Sequence, residues 1–349
     1  MKIVTVLIAM VISLKPLAAV ADDNAWTAND VGAAEVIPVS FKIESGWEYD
    51  GRIELPGPSV RRPWAVMILG GGLGTAIDWY IPDFMTIDGE ATRDGDTIAR
   101  ALLARGFVVM RWRAIHRDDP LFAVGGLMME VPKPPQTVEQ AELAMAAFRA
   151  KKVVPDDHIF LLGHSLGAAR AATLVDKHKD SPGVVMLAGA SLIPTKLDVV
   201  REIVAESNDA ADRKSPTPSA TERHENAVRR LADKRDAWRL PANESKTRLG
   251  TPWPADVLLK NRTPTLLMVG AKDERWLVES YAFTDHLRQN KHPDYTWRVI
   301  EGVGHNLGPE IEADVTHGEY GVIAKTKVGP INEDVVKAAV NWLDQHAKD

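Results

Sequence analysis

The sequence contains no cysteine among its 349 residues. This absence excludes disulfide bonds, a cysteine nucleophile, a thiolate zinc site and an iron–sulfur cluster. A basic stripe is also lacking, since the net charge is −6 and charges of both signs are interspersed, so no nucleic-acid partner is expected. The ten histidines form no recognisable pattern of metal ligands. We therefore expect a chain that is stabilised by its apolar core and needs neither a metal nor another cofactor.

Long apolar runs are lacking as well. The longest candidate, IVTVLIAMVISL near the N-terminus, has 12 residues, fewer than the roughly 20 that span a bilayer as a helix. It follows Met1-Lys2 and precedes the small residues AVA, a pattern typical of a cleaved export signal. We predict a signal peptide over residues 1–21, cleaved before Asp22, and a mature chain 22–349 that is periplasmic or secreted, with no stable membrane span. An N-terminal membrane anchor is the alternative.

Two kinds of strand pattern follow. Residues 36–55 alternate apolar and polar side chains and break at Ser45-Gly46, which indicates an antiparallel hairpin. Later runs are short and continuously apolar, as in strands buried on both faces of a parallel sheet. These runs are AVMIL (65–69), FVVMRW (107–112), IFLL (159–162), VVMLAG (184–189), TLLMVG (265–270) and TWRVI (296–300).

Helical patterns separate the apolar runs, over residues 96–106, 137–152, 278–290 and 332–349. The last of them opens with an asparagine that suits a helix cap. Strands that alternate with helices after an antiparallel start predict a mixed, mostly parallel sheet covered by helices on both faces.

Residues 196–256 interrupt this alternation. The segment is polar and charged, contains several prolines, and has helix-like patches between two predicted sheet strands. Long insertions in compact domains are often functional. We interpret 196–256 as a helical lid over a site, with a solvated excursion as the alternative.

The segment HIFLLGHSLGAARAATLV carries the clearest chemical signal. Gly163-x-Ser165-x-Gly167 follows an apolar strand and opens a helix, as in the sharp turn that exposes a nucleophilic serine. Small residues two positions on either side leave room for the turn, and the N-terminus of the helix favours negative charge. The alternative is a structural glycine-rich bend.

A serine nucleophile needs a base and an acid, in the chain order Ser, Asp or Glu, His. Asp273 follows the strand TLLMVG, and His305 follows TWRVI, so both lie at carboxyl ends of predicted strands. We predict that Ser165 attacks an acyl carbonyl, His305 moves the proton and Asp273 orients the imidazole. Glu274 is the rival acid and His317 a distant rival base.

The oxyanion needs preorganised N–H donors. The first is expected at Leu166, directly after the nucleophile, and the second in the loop GGGLG after AVMIL, at Gly71 or Gly72. A nucleotide-binding loop is disfavoured, because these glycines make neither a dinucleotide fingerprint nor a P-loop.

Taken together, the sequence resembles the α/β-hydrolase superfamily, and within it bacterial serine esterases distantly related to dienelactone hydrolases and acyl-CoA thioesterases. The residues that carry the resemblance are GHSLG (163–167), VGAKD (269–273), GVGHNLG (302–308) and the glycine loop (70–74). The likeness spans residues 40–345, with the insertion poorly matched. Many relatives have His-Gly where this chain has Leu69-Gly70, so the identity of the second oxyanion donor is open.

The resemblance implies an α/β-hydrolase fold and cleavage of a small-molecule carboxylic ester or thioester through an acyl-enzyme. A peptidase or acyltransferase on the same triad is the first alternative, and a catalytically silent binding protein is the second. Several large side chains are candidates for an acyl pocket or, more simply, for core and lid contacts: Trp79, Trp112, Trp253, Met128 and Met129. The sequence leaves the oligomeric state open.

Overall fold

The architecture is that of a computed structural model. It describes residues 32–44, 46, 48–71, 79–81, 83–113, 134–189, 196–212, 218–238, 252–316 and 322–348. The predicted signal peptide lies outside these residues.

The strands form one large sheet and two small ones. In chain order they are β1 (Glu35–Lys42), β2 (Glu48–Leu55), β3 (Ala65–Leu69), β4 (Tyr80–Ile81), β5 (Thr92–Arg93), β6 (Val108–Trp112), β7 (Ile159–His164), β8 (Val184–Leu187), β9 (Thr265–Gly270), β10 (Tyr295–Ile300), β11 (Glu310–Thr316) and β12 (Val322–Val328). The large sheet has eight strands in the order β1-β2-β6-β3-β7-β8-β9-β10. The pairs β1-β2 and β2-β6 are antiparallel, and all later pairs in this order, from β6-β3 to β9-β10, are parallel. This arrangement confirms the predicted mixed sheet.

Helices cover both faces of this sheet. In chain order they are α1 (Asp94–Ala104), α2 (Pro134–Ala150), α3 (Leu166–Lys177), α4 (Leu197–Asp212), α5 (Ala220–Asp233), α6 (Arg235–Trp238), α7 (Pro254–Asn261), α8 (Glu274–Gln289) and α9 (Glu333–His346). The predicted cap of the last helix is present, since the Asn332 side chain accepts from the Asp334 N–H at 2.7 Å. Among the described residues, no helix is both long and apolar enough to cross a membrane.

The two faces bury separate apolar clusters. Along β3, Ala65, Met67 and Leu69 pack with α2, α3 and α7, whereas Val66 and Ile68 pack with α1 and α9. Alternate side chains of a strand point to opposite faces, and here both faces are covered by helices. This double burial explains why the parallel strands appear in the sequence as continuous apolar runs.

The insertion between β8 and β9 is largely helical where the structure describes it. Its α4, α5 and α6 bury a third cluster against α8, centred on Trp238, Leu231 and Tyr281. Helix α5 begins with a capping box, in which Ser219 and Glu222 satisfy each other's backbone N–H groups. The insertion is thus attached along α8, the helix that directly follows Asp273.

A buried ionic network ties the antiparallel edge to the parallel part of the sheet. Arg111 on β6 is 1% exposed and donates to Asp96 at 2.7 Å and to Glu54 at 3.1 Å. Arg52 also donates to Glu54, at 2.6 Å. Buried charges are tolerated when they are paired and hydrogen-bonded. Removal of one cation or carboxylate from this network would therefore leave its partner as an uncompensated buried charge.

We expect Arg111→Met to lower the free energy of unfolding by about 3–5 kcal/mol, because Glu54 and Asp96 then lose a buried counter-charge. The control Arg105→Met removes a half-exposed cation paired with Asp344 and should cost less than about 1 kcal/mol. Urea denaturation of both variants measures the difference. Equal losses would contradict a structural role for the network.

Candidate active site

Ser165 sits on a strained turn between β7 and α3. Its φ is 53° and its ψ is −121°, a conformation that costs a non-glycine residue of order 1–3 kcal/mol. Its N–H donates to the Leu187 carbonyl at 2.8 Å, and its own carbonyl accepts from the Ala168 N–H at 3.0 Å. The strained backbone is thus held by the next strand of the sheet and by the first turn of the helix.

Glycines surround this turn because backbone atoms approach one another too closely for a side chain. A Cβ at Gly163 would lie 2.2 Å from the Gly167 carbonyl oxygen, and one at Gly167 would lie 2.2 Å from the Leu69 carbonyl oxygen. A Cβ at Gly189 would lie 2.3 Å from the Ser165 carbonyl oxygen. The first two glycines belong to the motif, whereas the role of Gly189, which follows β8, was not predicted.

The structure brings together the three residues predicted to form the triad. The Nε2 atom of His305 lies 3.0 Å from the Ser165 hydroxyl, and Nδ1 lies 2.7 Å from a carboxylate oxygen of Asp273. A carboxylate only accepts, so Nδ1 donates to Asp273 and the neutral ring leaves Nε2 to accept from Ser165. Asp273 is 8% exposed, so this carboxylate is nearly shielded from water.

The carboxylate of Asp273 does not cap the helix that follows it. Asp273 stands at the position before α8, but its carboxylate makes no capping hydrogen bond there. It bonds to His305 instead. The side chain of the rival acid, Glu274, is not among those described. The rival base, His317, lies wholly outside the described residues.

His164, the residue before the serine, was missed by the sequence analysis. Its Nε2 donates to the backbone carbonyl of His305 at 2.9 Å, which ties the end of β7 to the loop that carries the imidazole. Burial, with a smaller contribution from the charge of His305, lowers the pKa of His164 to about 3. The ring is therefore neutral at ordinary pH. No sequence signal marks it, because any residue type fits this position of the motif.

Aromatic rings flank the histidines. The ring of Trp276, in the first turn of α8, stacks on the imidazole of His305 with centroids 5.8 Å apart and planes 17° apart. The ring centroids of Trp79 and His164 lie 5.2 Å apart. Trp112 and Trp253 are 5% exposed and belong to the core, while Met128 and Met129 lie outside the described residues. Trp276, which was not singled out from the sequence, is thus in contact with a residue of the predicted triad.

Comparison with family models matches residues 57–316 to the alpha/beta hydrolase family. The chain belongs to this family. An esterase from Pyrococcus furiosus has a similar structure, with a TM-score of 0.51 and 14% identity over 93% of this chain and 95% of the esterase. An α/β-hydrolase from Penicillium gives a TM-score of 0.47 and 14% identity over 90% of this chain and 99% of that one. The comparison with curated proteins gives no match.

In this α/β-hydrolase Gly71, two residues after the end of β3, lies against Ser165. A Cβ at Gly71 would be 3.4 Å from the Cβ of Ser165. The carbonyl of Gly70 faces Arg170 of α3, whose Nη1 lies 3.4 Å away. Because C=O and N–H point in opposite directions across a trans peptide, the Gly71 N–H points away from Arg170. Gly72 lies outside the described residues.

Arg170 itself is 3% exposed. Burial lowers its pKa to about 10, so the guanidinium keeps its charge at neutral pH. A cation beside the Gly70 carbonyl favours the dipole orientation of the peptide that ends in the Gly71 N–H.

The depressed pKa of His164 predicts acid sensitivity. Between its usual value of about 6.5 and about 3, the unfolded chain binds a proton that the folded chain does not, so stability falls as the pH is lowered through this range. His164→Asn should reduce this slope by up to about 1.4 kcal/mol per pH unit. Urea denaturation at several pH values measures it. Asp94, whose pKa burial raises to about 6, acts in the opposite direction but is common to both proteins. Parallel curves for the two proteins would contradict the assignment.

Proposed function

We propose that this protein is a serine hydrolase that cleaves a carboxylic ester or thioester through an acyl-enzyme intermediate. The observation that carries the proposal is the continuous contact from the Ser165 hydroxyl through His305 to Asp273, at 3.0 Å and 2.7 Å. A serine hydroxyl becomes a competent nucleophile when a positioned base takes its proton, and this arrangement supplies that base.

The reaction then proceeds in two halves. His305 accepts the proton of Ser165 as the oxygen attacks the acyl carbonyl, and the imidazolium donates it to the departing alcohol or thiol. Water attacks the acyl-serine in the second half, with the same imidazole as base, and the acid product leaves. Asp273 stabilises the imidazolium in both halves, since its buried carboxylate holds Nδ1–H.

The developing oxyanion requires donors directed at it before the reaction starts. We assign the first to the N–H of Leu166, at the N-terminus of α3, and the second to the loop after β3. Gly71 is the donor we favour there, because it borders Ser165 and its peptide is oriented by Arg170. Gly72 stays the alternative donor.

The insertion over 196–256 is proposed as the cover of the acyl site. Its support is the attachment of α4, α5 and α6 to α8, whose first turn carries Trp276 against His305. Because α8 begins beside the His305 imidazole, we expect the helices attached to it to contact the acyl group or the leaving group. Export through cleavage before Asp22 also belongs to the proposal and is supported by the N-terminal sequence alone.

Two other functions use the same residues differently. A peptidase or acyltransferase would use the same triad on an amide or pass the acyl group to an acceptor other than water. A silent binding protein would keep the fold without turnover. The strained turn at Ser165 favours an enzyme over a silent binder, because such a conformation persists at a cost in stability.

A fluorophosphonate probe tests the nucleophile. Wild type should label, and Ser165→Ala should lose all labelling and at least about a thousandfold of the ester hydrolysis rate, because the attacking oxygen is gone. The matched control is Ser181→Ala, which removes another buried hydroxyl away from the triad and should label like wild type. Wild type that fails to label, or equal labelling of Ser165→Ala, contradicts the proposal.

The acid is tested by comparing two neighbouring carboxylates. Asp273→Asn should lower kcat by about a thousandfold or more, since the amide no longer stabilises the imidazolium or fixes its tautomer. Glu274→Gln should change kcat by less than about threefold, because Asp273 still holds Nδ1. Steady-state kinetics on a p-nitrophenyl ester gives both values. The reverse order of the two losses would assign the acid to Glu274.

A further inference from the structure

A second carboxyl group lies beside the triad. Glu310, the first residue of β11, follows His305 after a loop that closes on itself. The N–H of Gly304 donates to the Gly308 carbonyl at 3.0 Å, and the N–H of Leu307 donates to the Gly304 carbonyl at 3.0 Å. This closure returns the chain to the residue that precedes His305.

The Glu310 carboxyl group fills the space that a side chain at position 304 would need. A Cβ at Gly304 would lie 1.7 Å from Oε2 and 2.2 Å from Cδ of Glu310, which is far inside van der Waals contact. Gly304 is not among the residues with positive φ. The space beside Gly304 is therefore occupied by the end of the Glu310 side chain, which a larger residue at position 304 would displace.

Two further elements contact Glu310. Lys272, in the turn after β9, donates through Nζ to the backbone carbonyl of Glu310 at 2.8 Å. Thr326, on the paired strand β12, makes a hydrogen bond to the Glu310 side chain. The backbone of Glu310 is thus held by Lys272, and its half-buried carboxyl group by Thr326.

Among the described residues, three charged or titratable groups act electrostatically on Glu310. They are Asp273 and His305 of the triad, and Lys272. Partial burial, and next the Asp273 carboxylate, raise the pKa of Glu310, while His305, Lys272 and the hydrogen bond from Thr326 act in the opposite direction. When ionised, Glu310 therefore adds a second negative charge to the surroundings of the imidazole.

We propose that Glu310 is a positioning residue of the triad, a second carboxylate that stabilises the protonated form of His305 alongside Asp273. It acts through space and accepts no proton from substrate. The imidazolium forms whenever Ser165 gives up its proton, so a negative charge nearby lowers the energy of the charge-separated state. This inference rests on the proposed serine-hydrolase function.

The direct test is a pH titration of the His305 ring. It is monitored by NMR of the full chain carrying ¹³C-labelled histidine. The signal is identified by its absence in His305→Asn. Removing a negative charge disfavours the imidazolium, so Glu310→Gln should move the titration midpoint of this ring to lower pH by about half a unit to one unit. The matched control Glu312→Gln removes an exposed carboxylate of the same strand and should leave the midpoint unchanged.

Kinetics supplies a second readout. In Glu310→Gln the acid limb of kcat/KM should shift to lower pH by the same amount as the ring titration, with kcat at its plateau lower by about two- to tenfold. Gly304→Ala, which displaces the carboxyl group without removing it, should shift the limb in the same direction. If Gly304→Ala does not fold, Glu310→Gln decides.

Identical midpoints in wild type, Glu310→Gln and Glu312→Gln would overturn the proposal, even if kcat fell, because a purely structural residue moves the rate and not the titration. Failure of the proposed function gives a different result. A wild-type chain that hydrolyses no ester and takes no fluorophosphonate fails as a serine hydrolase, whereas the ring titration still tests the effect of Glu310 on His305.

Discussion

The site depends on the backbone of Ser165, which is held at a φ of 53° by close packing of backbone against backbone. Gly163, Gly167 and Gly189 make that packing sterically feasible, since a Cβ at any of them would overlap a neighbouring carbonyl. The turn ends a strand that is buried on both faces, so Ser165 stands at the end of a core strand. The cost of the strained residue is met by the sheet and helix around it.

Asp273 and His305, the proposed acid and base, share a second constraint. The loops that carry Asp273 and His305 are joined by a hydrogen bond from the Lys272 N–H to the Val303 carbonyl, at 3.0 Å. A Cβ at Gly270 would lie 2.4 Å from that same carbonyl oxygen. The Asp273 carboxylate and the His305 imidazole are thus positioned by two loops that pack against each other. The charge of Glu310 acts on the same pair of groups. His164 then connects this unit to the end of β7.

Much of this arrangement is predictable from sequence, because it depends on local patterns. The bounds of β3 and β9 coincide with their apolar runs, and Ser165, Asp273 and His305 follow strands in the expected order. His164, Trp276 and Glu310 were missed. His164 and Trp276 are important because they contact His305 from distant segments of the chain. Glu310 lies on the hairpin β11-β12, whose strands have no continuous apolar run. The insertion was recognised by its charge, but its attachment to α8 requires the folded chain.

The most direct test of the central claim is to find where the acyl group resides during turnover. Wild type is mixed with excess p-nitrophenyl acetate, quenched in acid within the steady state, and digested for peptide mass spectrometry. We predict one acetylated peptide, with the acetyl group on Ser165, and no such peptide from Ser165→Ala. Steady turnover with no acylated peptide, or with the acetyl group on another residue, would contradict it.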